Sequence, residues 1–132
     1  MKSNSLVVKI IFLTLLGLNF SCSKNGETID REFPRVSTYN VTNITSNGAI
    51  FSGEVYILSN EEIIDHGFDW STYTDSSIDL SERAYLGSMN GKGSFSHSLV
   101  KNLIKGKTYY VRAFAKTNSF FVFGDEKKFK YE

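Results

Sequence analysis

The sequence predicts an all-β sandwich formed by one domain. Strand patterns recur at intervals of about 8–15 residues with turn residues between them, which is typical of such a sandwich. No stretch shows sustained helical spacing of its apolar residues. The chain has 132 residues, of which the first are predicted to be an export signal, so its length allows a single domain. With one cysteine in the sequence, stability must come from an apolar core rather than from disulfides.

The N-terminus has the pattern of a signal peptide. Lys2 and Lys9 supply positive charge, and an apolar run from Ile10 to Leu18 follows. This run is too short for a membrane-spanning helix, which needs about 20 apolar residues. It fits the hydrophobic region of a cleaved signal instead.

The last residue of the run, Leu18, begins the segment L-N-F-S-C, which ends at Cys22. A small residue followed by cysteine at the end of a signal peptide resembles the lipobox of bacterial lipoproteins. Leu18 lies four places before Cys22, whereas the lipobox leucine lies three before. The alternative is a free cysteine beside an ordinary cleavage site. The resemblance implies a signal peptide over residues 1–21 and a lipid, including palmitate, on Cys22, so the membrane is an expected partner.

A polar segment connects this predicted anchor to the domain. Residues 22–33 are predicted to be the lipidated cysteine and a flexible tether, and residues 34–132 are predicted to be the folded domain. Removal of Lys2 and Lys9 with the signal would leave nearly equal numbers of basic and acidic residues. Because phosphate binding needs a concentrated basic face, the composition argues against nucleic acid as a partner.

Seven strands are predicted in the domain, and none of the remaining sequence predicts a helix of consequence. In the second strand alternate residues from Ala49 to Ile57 are apolar, so they share a core face. In the third strand Ile64, Phe68 and Trp70 are predicted to face the core. The predicted strands are 36–44, 49–57, 64–70, 83–87, 95–100, 108–116 and 120–131.

The strand 108–116, T-Y-Y-V-R-A-F-A-K, has the clearest alternation. Its predicted core face begins with Tyr109 and continues through small or apolar residues at every second position. Its other face contains Tyr110, Arg112 and Phe114, which we expect to point towards water or a partner.

Several segments together resemble a fibronectin type III domain. These are V-T-N-I-T-S-N-G-A-I-F-S-G-E-V, H-G-F-D-W-S-T, G-K-G-S-F and L-I-K-G-K-T-Y-Y-V-R-A-F-A-K-T-N-S. Leu103 and Tyr109 match the family's pattern, while Lys105 and Lys107 stand where proline and threonine are usual. The similarity is to fibronectin type III-like modules of Bacteroidetes surface lipoproteins. It implies a seven-stranded immunoglobulin-like β-sandwich with Trp70 as the central core aromatic and Tyr109 as the tyrosine corner.

Catalytic and metal sites find little support in the sequence, so no enzymatic activity, cofactor or metal is predicted. His66 and His97 both lie within strand patterns, and neither a G-x-S-x-G nor an H-E-x-x-H motif occurs. Asp65 and Asp69 alternate away from His66, which excludes a Ser-His-Asp arrangement on that strand. A calcium loop is a weaker alternative, because its turn glycine and final glutamate are missing; its oxygen side chains would be Asp75, Ser77, Asp79 and Glu82.

The candidate binding surface consists of Tyr110, Phe114 and Phe120. If these aromatic side chains are exposed together, they form an apolar patch that fits a protein partner or the rings of sugars. The alternative is a packing surface against the tether or the loop 72–81.

The sequence therefore predicts a non-enzymatic lipoprotein that binds a protein or another surface ligand at the outer membrane or surface of a Gram-negative cell. The alternative function is an accessory glycan-binding lipoprotein of an outer-membrane uptake system. A fragment of an envelope hydrolase is disfavoured by the missing catalytic motifs.

Overall fold

A computed structural model describes residues 32–73 and 81–132 of the chain, which form nine β-strands. No helix capable of crossing a membrane occurs among these residues. The strands are β1 (Arg35–Thr38), β2 (Thr42–Thr45), β3 (Gly48–Ile57), β4 (Ile63–Ser71), β5 (Glu82–Met89), β6 (Gly93–Val100), β7 (Thr108–Lys116), β8 (Phe121–Phe123) and β9 (Lys127–Lys130).

The strands form two antiparallel sheets. In the four-stranded sheet β6 pairs with β3, which also pairs with β1 near one end and with β2 near the other. In the five-stranded sheet the order is β5-β4-β7, and β7 pairs further with β8 and β9. This arrangement confirms the predicted β-sandwich of the immunoglobulin and fibronectin type III class.

The strand number is nine rather than seven because two predicted strands are each divided. The predicted strand 36–44 is interrupted between β1 and β2, and the predicted strand 120–131 is interrupted between β8 and β9. At the second interruption the amide of Gly124 donates a hydrogen bond of 2.9 Å to the carbonyl of Ala113. Each pair of short strands thus shares one long partner, β3 or β7.

The core between the sheets is rich in aromatic rings. Phe51, on β3, lies 5.7 Å from Phe68, 5.6 Å from Trp70 and 5.5 Å from Phe129 between ring centroids. All four side chains are buried. Such contacts between aromatic rings stabilise a core beyond the area that they bury. The core therefore forms where the alternation along β3, β4 and β7 places apolar side chains.

Tyr109 is buried with its ring stacked on Phe129 at 5.3 Å. Its hydroxyl accepts a hydrogen bond of 3.0 Å from the backbone amide of Ile104, five residues upstream. The residue thus joins β7 to the loop that precedes it, which is the geometry of a tyrosine corner. Trp70 is buried beside Phe51 and stacks on His97 at 6.0 Å.

The prediction that Ile64 of β4 faces the core is wrong. Ile63 is buried and Ile64 is 40% exposed, the reverse of the predicted orientation of Ile64. The pairing of β4 with β5 shifts between Ile63 and His66 and again before Gly67. Because a bulge changes which residues face the core, the alternation that fits Phe68 does not extend back to Ile64.

Candidate functional site

The outer face of the five-stranded sheet carries a row of charged side chains. Asp69 on β4 is paired in register with Arg83 on β5 and with Arg112 on β7. Both guanidinium groups contact the one carboxylate. Arg83 Nη2 lies 3.3 Å from Asp69 Oδ2, while Arg112 donates from Nη2 to Oδ2 at 3.1 Å and from Nε to Oδ1 at 3.3 Å.

Asp69 is almost completely buried although it lies on the outer face. Its side chain is 1% exposed, against 15% for Arg83 and 17% for Arg112. A buried carboxylate is tolerated only when it is paired and hydrogen-bonded, and here two arginines provide both. The row holds two positive charges against one negative charge, so it carries a net charge of about +1.

A second row, of aromatic side chains, lies beside the first. Gly67 on β4 is paired with Tyr85 on β5 and with Phe114 on β7, and Phe114 is paired with Phe123 on β8. The ring of Phe114 lies 5.7 Å from Tyr85 and 5.1 Å from Phe121. We call the two rows together the arginine–aromatic cluster; its members are Asp69, Arg83, Arg112, Tyr85, Phe114, Phe121 and Phe123.

The guanidinium of Arg83 is surrounded by the rings of this cluster. Its central carbon lies 4.8 Å from the ring centroid of Phe121, and the centroids of Tyr85, Phe114 and Phe123 lie within 5.9 Å. Arg112 lies 4.2 Å from the ring of Phe123. Contacts of this kind attract a cation to the electron-rich ring face.

The charge of Arg83 is also held by hydrogen bonds. Burial acts to lower the pKa of Arg83, but hydrogen bonds with Tyr85 and Asp69 outweigh it and raise the pKa above its ordinary value. The Nη1 donor lies 3.4 Å from the Tyr85 hydroxyl. The site therefore presents a fixed guanidinium beside a tyrosine ring.

The prediction that Phe114 is exposed is wrong, because its side chain is 0% exposed. The physical reason is the glycine beside it. Gly67 has φ +155° and no side chain, and a Cβ there would lie 1.9 Å from the carbonyl oxygen of Ala84 and 3.1 Å from the Phe114 ring. The ring of Phe114 occupies the space over Gly67, where Tyr85, Phe121 and Phe123 cover it.

The three predicted surface residues do not form one patch. Tyr110 and Phe120 are both partly buried. Tyr110 is paired with Ser71 and Lys128 near the start of β7, whereas Phe120 lies beyond its end, next to Phe33 at 5.9 Å between ring centroids. About six residues of strand, or about 20 Å, separate the two.

Other predicted sites lie outside the described residues. Cys22 is one of them, together with the signal peptide and most of the tether. Asp75, Ser77 and Asp79 of the alternative calcium loop are also outside, and only Glu82 is described. Among residues 32–73 and 81–132 no group of three potential metal ligands occurs.

The two histidines lie apart from the cluster. His66 Nδ1 is 2.7 Å from the carbonyl oxygen of Gly87, and the His66 ring packs edge-on against Phe95. His97 contacts Phe51 and Trp70, and burial lowers its pKa below the ordinary value of 6.5. Both rings belong to the packing between the sheets.

The pairing of Asp69 with two arginines is absent from the sequence-based prediction. The sequence does place Asp69 on the outward face of one predicted strand and Arg112 on the outward face of another, and this was the signal from which the pair could have been inferred. Opposite charges on adjacent strands stabilise each other when they are directly opposite. Finding the pair required the register of β4 against β7, and finding Arg83 required that of β5 as well.

Fold and site together define a β-sandwich domain of the immunoglobulin and fibronectin type III class with an arginine–aromatic outer face. No protein-family model matches the sequence, and no curated protein sequence matches it. Similar solved structures nevertheless exist.

The sensor domain of the anti-sigma factor RsgI4 from Pseudobacteroides cellulosolvens is similar in fold. Its short form gives a TM-score of 0.57 at 16% identity and covers 74% of this chain and 93% of that chain. Its solution structure gives 0.58 at 14% identity, with 75% of each chain covered. A myokine structure gives a TM-score of 0.48 at 17% identity and covers 76% of this chain and 96% of that chain. This similarity is too low to support an argument. At such identities the likeness concerns the fold alone.

Proposed function

We propose that the protein is a non-enzymatic binding module, anchored by a lipid on Cys22 to the outer membrane or surface of a Gram-negative cell. In this proposal it belongs with the fibronectin type III-like surface lipoproteins of Bacteroidetes and binds a protein or another surface ligand. The ligand contacts the arginine–aromatic cluster. The observation that carries the proposal is that one sheet face combines an exposed tyrosine ring with two partly exposed arginines.

The exposures in the cluster support a binding role. Tyr85 is 59% exposed, although its ring contacts the fully buried Phe114. Tyrosine and arginine are enriched at protein interfaces, because they offer a large contact area together with hydrogen-bond donors. The arginines are already held in place by Asp69, so a ligand would not have to order them on binding.

The position of the tether favours a ligand that approaches from the side of the domain. Phe33, at the end of the proposed tether, contacts Phe120 at one pole of the sandwich. About ten residues precede it after Cys22, a span of at most about 35 Å when extended. The cluster opens on the outer face of the sheet and extends from Asp69 and Arg112 to Phe121 beside this pole, so the proposed ligand would approach the domain from its side.

A non-enzymatic role is supported by the use of the histidines. The Nδ1 atom of His66 contacts the Gly87 carbonyl, and His97 packs between core rings. Neither imidazole faces the cluster, so no proton acceptor of this kind lies beside the proposed ligand.

The second candidate function is an accessory glycan-binding lipoprotein of an outer-membrane uptake system. The observation that favours it is the exposed ring of Tyr85, on the same sheet face as the partly buried rings of Phe121 and Phe123. Aromatic rings on a flat surface offer a stacking platform for sugar rings, whereas an adhesion partner would need no particular ring geometry.

The lipid anchor is tested by Cys22→Ala. We expect the wild-type chain to fractionate with membranes and to incorporate labelled palmitate, because two or more acyl chains hold a protein stably in a bilayer. The variant should lose the label and appear in the soluble fraction. A matched Ser21→Ala variant should keep both properties. Palmitate labelling that persists in Cys22→Ala would contradict the anchor.

The binding face is tested by two tyrosine substitutions. Full-length protein in detergent is applied to glycan arrays and to immobilised envelope proteins, as wild type, as Tyr85→Ala and as Tyr56→Ala. Tyr56 is 41% exposed on β3, in the opposite sheet, so it provides the matched control. We expect Tyr85→Ala to weaken binding of any captured ligand about tenfold, as loss of an aromatic hot spot does, and Tyr56→Ala to leave it unchanged. Equal binding by both variants would refute the proposed face.

A further inference from the structure

We propose that the arginine–aromatic cluster binds the carboxylate of an acidic sugar, so that the ligand is a glycan containing uronic acid residues. This inference rests on the proposed function, because it uses the same face of the five-stranded sheet. It adds the chemical class of the ligand. It also assigns the carboxylate of the ligand to the arginines and the sugar ring to Tyr85.

The charge of the cluster selects an anion. Asp69 supplies one negative charge, and Arg83 and Arg112 supply two positive charges, all within hydrogen-bonding distance. Both arginines contact Asp69, and the three charges sum to about +1. Because aromatic rings replace water around the guanidiniums, an anion there is attracted more strongly than at a solvated lysine.

Donors remain available for that anion. Each guanidinium has five N–H donors, and in the described part of the chain the two arginines make four hydrogen bonds, one to Tyr85 and three to Asp69. Arg83 Nε also lacks a hydrogen-bond partner there, but it is buried, so the donors open to a ligand are N–H groups at the ends of the guanidiniums. Both side chains keep some exposure, 15% and 17%, through which a carboxylate can reach the outward N–H groups. Planar, bidentate recognition of a carboxylate is the geometry for which arginine is suited.

The aromatic row supplies the other half of the site. The ring of Tyr85 is 59% exposed, and its centroid lies 5.8 Å from the guanidinium carbon of Arg83. In a uronic acid the carboxylate is attached directly to the sugar ring. A sugar stacked on Tyr85 can therefore place its carboxylate at Arg83 without a flexible linker between the two groups.

An acidic peptide fits these observations less well. Its carboxylates lie at the ends of mobile side chains, whose ordering opposes binding. Such a ligand also makes no use of an exposed ring at a fixed distance from the guanidinium. The test therefore includes an acidic peptide as one of its probes.

The experiment is calorimetric titration of the full-length protein in detergent with tetragalacturonate and tetraglucuronate. The same oligosaccharides with their carboxylates reduced to alcohols serve as neutral probes, and tetraglutamate serves as the acidic peptide. We expect at least one acidic oligosaccharide to bind and its reduced form to bind about tenfold more weakly or not at all, since a charge-assisted hydrogen bond is lost.

Three variants locate that binding. Arg83→Gln and Tyr85→Ala should each weaken it about tenfold, the first through the carboxylate and the second through the sugar ring. Lys92→Gln removes the same charge from an exposed turn and should leave binding unchanged. Circular dichroism verifies that each variant is folded. If Arg83→Gln does not fold, Tyr85→Ala alone still tests the site.

The remaining outcomes separate this inference from the proposed function. Absence of binding by both acidic oligosaccharides, equal binding of the reduced forms, or preference for tetraglutamate overturns the acidic-sugar proposal. If any of these occurs while another captured ligand still depends on Tyr85, the binding face stands. Binding of an acidic oligosaccharide that is insensitive to Arg83→Gln and Tyr85→Ala overturns both.

Discussion

Replacing Trp70 with alanine should lower the free energy of unfolding by about 3–5 kcal/mol, the range for large-to-small changes of aromatic core residues. Trp70 is 7% exposed and lies 5.6 Å from Phe51 and 6.0 Å from His97 between ring centroids. Its removal would leave a cavity at the point where β4 meets β3 and β6. Neighbouring strands on both sides restrict how far the surrounding side chains can move into that cavity.

Urea titration followed by circular dichroism measures this loss. The experiment uses the unlipidated Cys22→Ala chain, because micelles would complicate the titration. Tyr56→Ala, the half-exposed aromatic of the opposite sheet, serves as control and should cost about 1 kcal/mol or less. A loss below 1 kcal/mol for Trp70→Ala would show that the ring contributes little to the core.

The core of this domain could be predicted from the sequence because its residues recur at every second position along the strands. Along β3 and β7 every second residue is apolar, and the structure buries Phe51, Val55, Tyr109 and Val111 accordingly. The sandwich class depends on this alternation and on the turns between strands. It does not require knowledge of which strand lies beside which.

The burial of Phe114 could not be predicted from this alternation. Alternation assigns it correctly to the outer face of β7, but an outer face is exposed only when its neighbours leave it open. Here Gly67 on the adjacent strand leaves space for the ring, and Tyr85 and Phe121 cover it. Both facts depend on the register between strands distant in sequence.

The same limit applies to the functional site. The cluster joins β4, β5, β7 and β8, and each of its contacts crosses from one strand to the next. A single sequence shows that Asp69 and Arg112 point outward, but it does not show that they are opposite each other. The bulge near His66 adds a further shift, which moved Ile64 to the other face.

Stability and binding are coupled in this cluster. Phe114 and Asp69 are buried within it and hold the neighbouring rings and guanidiniums in position. Tyr85 is more exposed than any other aromatic member, so its replacement affects packing less than replacement of Phe114 or Asp69. Variants intended to report on a ligand therefore belong at Tyr85, and variants intended to report on the fold belong at Asp69 and Phe114.

Asp69→Ala should destabilise the domain by about 3–5 kcal/mol, because removing one partner of a buried ion pair leaves the remaining charges uncompensated. Two guanidiniums would then lie 15% and 17% exposed with no carboxylate between them. Urea titration of the unlipidated chain measures the effect. Asp125→Ala removes the same group from an exposed position and should change stability by no more than about 0.5 kcal/mol.

A triple variant separates the effect of the unpaired arginine charges on stability from the effect of the side-chain volume lost in Asp69→Ala. Asp69→Leu combined with Arg83→Leu and Arg112→Met replaces all three charges with apolar side chains, which often costs little or even stabilises a protein. We expect this triple variant to recover most of the stability lost in Asp69→Ala while losing the net charge of the cluster. If the triple variant is as unstable as Asp69→Ala, the destabilisation comes from packing around Asp69 rather than from the unpaired arginines.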